Sequence, residues 1–243
     1  GSSHIPVSRR TPFPGGEPLP REYANCLDPF VVLSAAAAAT RTLRVGTGIC
    51  LVSQRDPIVT AKAVASLDVL SGGRFEFGIG AGWNQDEIEN HGIAFDDRFR
   101  VMVDHVKAMQ TIWTEEEAAY DGAFTHFDPV WSWPKPVQQP GPPVFVGGSG
   151  GPRLMDHVAE FADGWLPIGG AGIRRALDEL RSACDRHQRD PEDVAIIPFG
   201  TLPDEGKLAY YSDLGISEAV LRLPSAGRDE VLPVLDDFTR FLG

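Results

Sequence analysis

Six short apolar runs, at about 43–52, 74–79, 143–147, 164–168, 194–199 and 219–223, alternate with longer segments of helical period. Short links join them. A strand that is followed by a helix and then another strand returns parallel to the first, so the six runs are expected to lie parallel and to neighbour one another in chain order. Units of this kind build either a doubly wound sheet or a (β/α)8 barrel. Glycine clusters follow three of the runs, at Gly46–Gly48, Gly78–Gly82 and Gly147–Gly151. In a barrel these clusters converge on one face, whereas in an open sheet they are strung along an edge.

The helical segments carry their own punctuation. Asp28-Pro29 and Asp56-Pro57 each pair an N-cap aspartate with a proline in the first turn. The first of these predicts a helix from Pro29 to about Arg41. The second predicts a helix whose buried stripe is Ile58, Ala61, Ala65 and Leu67–Leu70, ending at Gly72-Gly73. Phe99, Met102, Val103, Val106, Met109 and Trp113 share one helical face and read as core. Residues 115–141 break the alternation and read as a hairpin-like insertion rich in aromatic side chains. Residues 5–21 hold seven prolines and glycines, show no hydrophobic period, and read as a long loop containing Arg9 and Arg10. Nothing marks a second domain, so residues 1–243 are expected to form one.

Composition narrows the function classes. With a net charge of −12, the chain is a poor general nucleic-acid binder. No apolar run approaches the roughly 20 residues that span a bilayer. Cys26, Cys50 and Cys184 are widely spaced, without a C-x-x-C pair, and suggest neither a disulfide framework nor a zinc site. Cytoplasm is the expected compartment, and no metal is expected.

The stretch Gly78-Ile79-Gly80-Ala81-Gly82-Trp83-Asn84 opens a strand end into a turn. It is not a dinucleotide fingerprint, because Trp83 stands where the third glycine must allow close helix packing. Two readings remain: a ligand pocket faced by Trp83 and Asn84, or a tight βα turn without a ligand. Gly147, Gly148, Ser149 and Gly150 precede a helix at Pro152, where backbone N–H groups and the Ser149 hydroxyl suit a phosphate. A plain turn is the alternative there too.

Five segments occur in a telling order: Leu-Asp-Val-Leu-Ser-Gly-Gly-Arg (67–74), Gly-Ile-Gly-Ala-Gly-Trp-Asn (78–84), Trp-Pro-Lys-Pro-Val-Gln (133–138), Val-Gly-Gly-Ser-Gly (146–150) and Ala-Asp-Gly-Trp-Leu-Pro (162–167). Together they resemble the luciferase-like monooxygenase superfamily, whose members are TIM (β/α)8 barrels. His4-Ile5-Pro6, Ser8-Arg9-Arg10 and Asn90-His91-Gly92 resemble its branch that uses coenzyme F420. The resemblance implies that a first strand, a first helix and most of a second strand are missing ahead of these six strands; counting those restores a barrel's eight.

What the resemblance implies about chemistry is hydride transfer between F420 and a small organic substrate. FMN in a monooxygenase is the near alternative, and a non-catalytic barrel relative is the alternative of another class. By the same matching, Thr47, Gly48 and Ile49 form the bulge behind the cofactor ring, with a non-prolyl cis peptide at Gly48–Ile49. Gly80, Gly82, Trp83, Asn84 and Asp86 lie near ring or tail. His4 faces the ring as the proton-handling, catalytic side chain. The F420 tail bears a phosphate and several carboxylates, and Arg9, Arg10 and Arg55 are the candidate cations for it; a solvated loop is the plainer reading of each. The family also implies a homodimer.

Overall fold

A computed structural model describes residues 2–242. They divide into two compact units, Gly1–Val144 and Phe145–Gly243.

The first unit opens with the expected irregular segment, relieved only by a 3-10 turn at Arg21–Tyr23. Helix α1 (Pro29–Ala39) starts where the sequence predicts, with the Asp28 carboxylate accepting from the N–H groups of Phe30 and Val31. It stops two residues short of Arg41. The predicted strand 43–52 is two short strands, β1 (Val45–Gly46) and β2 (Cys50–Leu51). The chain leaves the ladder between them, at Thr47–Ile49, and the Gly48–Ile49 peptide is cis as the resemblance implies. Helix α2 (Pro57–Ser71) is capped by Asp56 and ends at Gly72, which is left-handed with φ 67°. Its buried face centres on Val64 and Asp68 rather than on Ile58. Ile58, Val69 and Leu70 therefore point outward, contrary to the predicted stripe. Strand β3 (Phe75–Gly80) runs parallel to both β1 and β2, with Val45 opposite Phe75 and Cys50 opposite Ile79.

Helix α3 (Gln85–Asn90) is short, and helix α4 (Arg98–Thr114) carries the predicted core stripe, with Met102, Val106, Met109 and Trp113 buried. The Trp113 indole N–H donates to the Ala61 carbonyl at 3.1 Å, tying α4 to α2. Phe30, Phe75 and Phe77 complete the aromatic core, Phe77 meeting Trp113 edge-on. The insertion is a true antiparallel hairpin, β4 (Ala118–Asp121) and β5 (His126–Val130). Its turn folds over Asp104 of α4, which accepts from the N–H of Ala123 at 2.9 Å and of Phe124 at 3.2 Å. The Phe77 N–H donates to Pro143 at 2.9 Å, at the entry to the next strand.

From Val144 onward the chain forms β6 (Val144–Gly147), α5 (Pro152–Phe161), β7 (Gly164–Leu166), α6 (Ile173–His187), β8 (Ala195–Ile196), β9 (Phe199–Thr201), α7 (Glu205–Asp213), β10 (Val220–Leu221) and α8 (Arg228–Phe238). The predicted strand 194–199 is split where Pro198 can donate nothing to the ladder. Pairings β6–β7, β7–β8 and β9–β10 are all parallel, and an Ile168–Phe199 bridge continues β7 toward β9. Within each unit the strands thus neighbour one another in chain order. The fold is α/β with parallel strands. Among the described residues no helix is long and apolar enough to cross a membrane.

Candidate functional site

In the first unit, parallel pairing of β2 with β3 brings two strand ends side by side. The chain leaves β2 through a 3-10 turn at Val52–Gln54 and leaves β3 through Ala81 and Gly82. The Ser53 hydroxyl donates to the Ala81 carbonyl at 2.9 Å and locks the two exits together. His105 Nδ1 of α4 lies 2.9 Å from the Val52 carbonyl. One residue earlier in the sheet, the Thr47 hydroxyl donates to Gly78 at 2.6 Å and fixes the bulge.

Gly82 has φ +87°, where a side chain is strained, and a Cβ there would lie 3.2 Å from Ile88 and 3.6 Å from the Gln54 amide nitrogen. Around this glycine the chain buries three polar side chains. Asn84 is wholly buried, Glu87 is 1 % exposed and Gln54 is 8 % exposed. Asn84 holds the N-cap position of α3, yet its side chain makes no capping bond. Neither amide atom of Asn84 or of Gln54 has a hydrogen-bond partner. Gln54 lies beside the Glu87 carboxyl, but its amide is outside bonding geometry. Burial pushes Glu87 above the ordinary carboxyl range, against the opposing pull of the Ser2 hydroxyl, His4 and Gln54. Unpaired buried amides cost about 1–3 kcal/mol each, and here they gather at two strand ends. An amide-rich flat edge with alternating donors and acceptors, such as the pyrimidine edge of a flavin or deazaflavin, matches that donor set.

Trp83 is half-buried, with Phe13 at 5.6 Å between ring centroids; Phe13 in turn meets Tyr23 at 4.9 Å. The 5–21 loop is thereby laid against the β3 exit. Arg10 strengthens that contact. Its backbone N–H and its Nε donate to Asp86 at 2.7 and 2.6 Å, and its guanidinium also pairs with Glu89. These bonds hold Asp86 below the ordinary carboxyl range, chiefly through the Arg10 backbone N–H. Arg9 pairs with Glu17 at 2.9 Å and Arg55 with Asp28 at 2.6 Å. Every cation assigned to a cofactor tail therefore already has a carboxylate partner within the chain. A tail carboxylate meets these arginines only in competition with those partners.

His4 is exposed and held by its neighbours: Nδ1 lies 3.0 Å from the Ser3 hydroxyl and Nε2 lies 3.0 Å from the Asn90 side-chain nitrogen. The sequence singled out His4 and the 78–86 stretch. It missed Gln54, Glu87 and Asn90. Glu87 and Asn90 stand inside or next to segments already noted, whereas Gln54 carries no sequence signal, since only the β2–β3 register brings it to Gly82. No group of His, Cys, Asp and Glu among the described residues is arranged to hold a metal ion.

In the second unit, the 147–150 loop follows β6 and leads into α5. Gly148 has φ +148°, its N–H donates to Leu166 at 3.3 Å, and its carbonyl accepts from the Trp165 indole at 2.9 Å. That N–H is committed to the sheet, so the phosphate expected there would rest on Ser149 and Gly150, both exposed. A Cβ at Gly150 would sit 2.3 Å from Ala176, so this position admits no side chain without movement.

Comparison with known proteins places this arrangement. An uncharacterized protein of Mycobacterium tuberculosis is 39% identical over 234 residues, covering 94% of this chain and 82% of its own. An FMNH2-dependent dimethylsulfone monooxygenase of Pseudomonas putida is 31% identical over 65% of this chain and 44% of its own. An F420-dependent glucose-6-phosphate dehydrogenase of Intrasporangium calvum is 30% identical over 68% and 52%. Among solved structures, the monooxygenase RslO1 from Streptomyces bottropensis superposes with a TM-score of 0.77 at 21% identity, covering 93% of this chain and 85% of that one. Such a likeness speaks for the fold. The profile of the family described as "Luciferase-like monooxygenase" matches residues 15–202, a span that takes in the β2 and β3 exits, the buried amides and the glycine loop after β6. The chain belongs to the luciferase-like monooxygenase family.

Proposed function

We propose that the chain is a (β/α)8-barrel oxidoreductase that moves a hydride between coenzyme F420 and a small organic substrate. The observation that carries this reading is the set of unpaired, buried amides of Gln54 and Asn84 at the paired β2 and β3 exits. When bound, the deazaflavin ring supplies the hydride chemistry. Gln54 and Asn84 would hold its polar edge, and the Thr47–Ile49 bulge would back it. Trp83 would wall the site against water. His4 would hold or move a proton at an imidazole nitrogen.

FMN is the second reading. Its single phosphate makes no demand on extra cations, and Arg9, Arg10 and Arg55 are already paired. Titration of the purified protein with each cofactor, followed by absorbance and fluorescence, separates the two. Tight F420 binding with weak FMN binding is the expected result; the reverse favours the monooxygenase. No binding of either, with the fold intact, supports the non-catalytic relative and overturns the proposal.

We also propose that the chain works as a homodimer through α1 and α2. Helix α1 contains no charged residue. The charged residues of α2 are both engaged within the unit: Lys62 donates to the Trp133 carbonyl, and Asp68 is buried against Gln138. Val31, Val59 and Leu70 are each about two-thirds exposed, with Val32, Ile58 and Val69 beside them on the outer faces. Those six residues together expose roughly 500 Å² on the two helices. A chain of net charge −12 repels its own copy over most of its surface. A face whose exposed charge is Lys62, opposite in sign to the chain's net charge, is where two copies meet without that cost, so a second copy is the fitting occupant. Light scattering after gel filtration should give a dimer, and Val31→Asp with Val59→Asp a folded monomer. A monomeric parent protein, or a dimer that survives both substitutions, would refute this.

A further inference from the structure

The most closely specified polar network in the first unit lies at the C-terminal turn of α3. Asn90 is the last residue of that helix and His91 caps it, with the His91 N–H on the Ile88 carbonyl. Both side chains reach residues 3 and 4. Asn90 Nδ2 lies 3.0 Å from His4 Nε2, Ser3 Oγ lies 3.0 Å from His4 Nδ1, and the same Oγ lies 2.9 Å from His91 Nε2. The two imidazoles stand 5.4 Å apart.

With the Asn90 amide nitrogen turned toward His4, donor chemistry sets the protons along this chain of bonds. An amide nitrogen only donates, so His4 Nε2 must accept and carry no proton. A neutral His4 ring then has its proton on Nδ1 and donates it to Ser3 Oγ. The hydroxyl has a single proton, which passes to His91 Nε2, and His91 keeps its own proton on Nδ1. His91 suits the accepting role: burial, with His4 and Arg55 nearby, holds it below the ordinary histidine range. Of the charged groups around the pair, Glu87 lies within electrostatic reach of His4, and Arg55 within reach of His91.

We propose that Asn90, Ser3 and His91 are positioning residues that hold His4 as the Nδ1–H tautomer, with the Nε2 lone pair as its proton acceptor. This rests on the reading of His4 as the proton-handling side chain and sets the direction of its first step. A bound group that gives up a proton displaces the Asn90 amide. A new N–H bond forms at Nε2 as the group's own bond to that proton breaks. The ring becomes imidazolium, with Nδ1–H still on Ser3. The Nε2 lone pair makes the new bond, the pair of the broken bond stays with the group that loses the proton, and nothing is oxidised or reduced. The resting ring has no proton at Nε2 to give.

The test is the histidine tautomer itself, read without cofactor or substrate. Protein labelled with nitrogen-15 in its histidines gives long-range proton–nitrogen correlations at a pH where all six rings are neutral. The His4 signals are assigned by their loss in His4→Gln. The parent protein should show His4 with a protonated Nδ1 and a bare Nε2. Asn90→Asp offers an acceptor in place of the donor and should reverse the tautomer. Asn90→Ala should raise the Nε2–H fraction several-fold and Ser3→Ala, with the Asn90 donor still in place, by less, while the signals of His105, His126, His157 and His187 stay in place. A merely structural Asn90 would not reverse a tautomer. Nε2–H in the parent protein, or an unchanged tautomer in Asn90→Asp, overturns the inference. Nδ1–H in a protein whose turnover survives His4→Gln would leave the positioning network standing and remove the catalytic reading of His4 instead.

Discussion

Asp104 tests how the hairpin insertion is held. Its carboxylate, 8 % exposed on α4, accepts from the Ala123 and Phe124 N–H groups and from the Tyr120 hydroxyl at 3.4 Å. The turn is shaped to it, since a Cβ on Gly122 would lie 2.1 Å from its Oδ1. Hydrogen bonds to a charged acceptor contribute about 1.5–3 kcal/mol each. The two backbone donors are only half-buried and can recover water, so the lower end applies. Asp104→Ala should therefore cost about 2–4 kcal/mol, and Asp104→Asn, which keeps one acceptor but turns a second donor toward the turn, about 1–2 kcal/mol. Urea unfolding of the three proteins measures both. A second reading comes from Tyr120, pushed up to about 12 by burial, with the Asp104 charge and hydrogen bond adding to it. Asp104→Asn removes the charge, so the Tyr120 phenol should ionise at lower pH in an ultraviolet titration. A loss under about 0.5 kcal/mol in Asp104→Ala, the range of an ordinary surface substitution, with no change in the phenol titration, would refute this account of the turn.

Glu87, with its folded-state pKa raised by burial, contributes stability at pH below its unfolded value and loses it as pH rises through the folded one. Thermal unfolding across acid to neutral pH should therefore show Glu87→Gln gaining on the parent protein as pH rises, and a constant gap would contradict this. Gly148→Val places a β-branched residue at φ +148° with Leu154 at 3.4 Å; cofactor titration should weaken several-fold if the 147–150 loop touches the ligand, and unchanged affinity would remove that loop from the site. Arg10→Ala leaves Asp86 and Glu89 without their cation, so F420 affinity should fall at low salt and recover toward the parent value at high salt, while FMN responds less. Adding Asp86→Asn and Glu89→Gln should restore F420 affinity if local repulsion is the cause, and fail to restore it if Arg10 itself grips the tail.

Much of the fold could be read in advance because its signals are local. Asp28-Pro29 and Asp56-Pro57 mark helix starts by a bond within one turn, and α1 and α2 begin there. Gly72 ends α2 because only its own φ is at issue. The failures arise where a neighbouring strand decides. Residues 43–52 have strand composition throughout, but the ladder is broken at Thr47–Ile49, where the Thr47 hydroxyl bonds Gly78 of the adjacent strand. Ile58, Val69 and Leu70 are as apolar as the residues that α2 buries, so hydrophobicity alone could not say which face meets the sheet.

The same distinction governs the site. A glycine-rich strand end is legible because glycine marks backbone approach wherever it occurs. The charge of an arginine is legible too, but whether that charge is spent is not. Arg10 is 76 residues from Asp86, and Arg55 is 27 from Asp28; only the fold joins them. Counted from the sequence, the three arginines are cations available to an acidic tail. Counted after pairing, the Arg10 cluster of one cation and two carboxylates carries net charge of the tail's own sign. Gln54 changes in the opposite sense, from an unremarkable amide to a buried group with no partner, and Asn84, already a candidate in the sequence, joins it. The selective cost in this site lies with those amides, about 1–3 kcal/mol for each unmet group, while exposed ion pairs are worth about 0–1 kcal/mol. On the proposed function, ring recognition by the strand ends would be the stronger determinant, and discrimination between F420 and FMN would fall to the weaker, salt-sensitive contacts of the 5–21 loop.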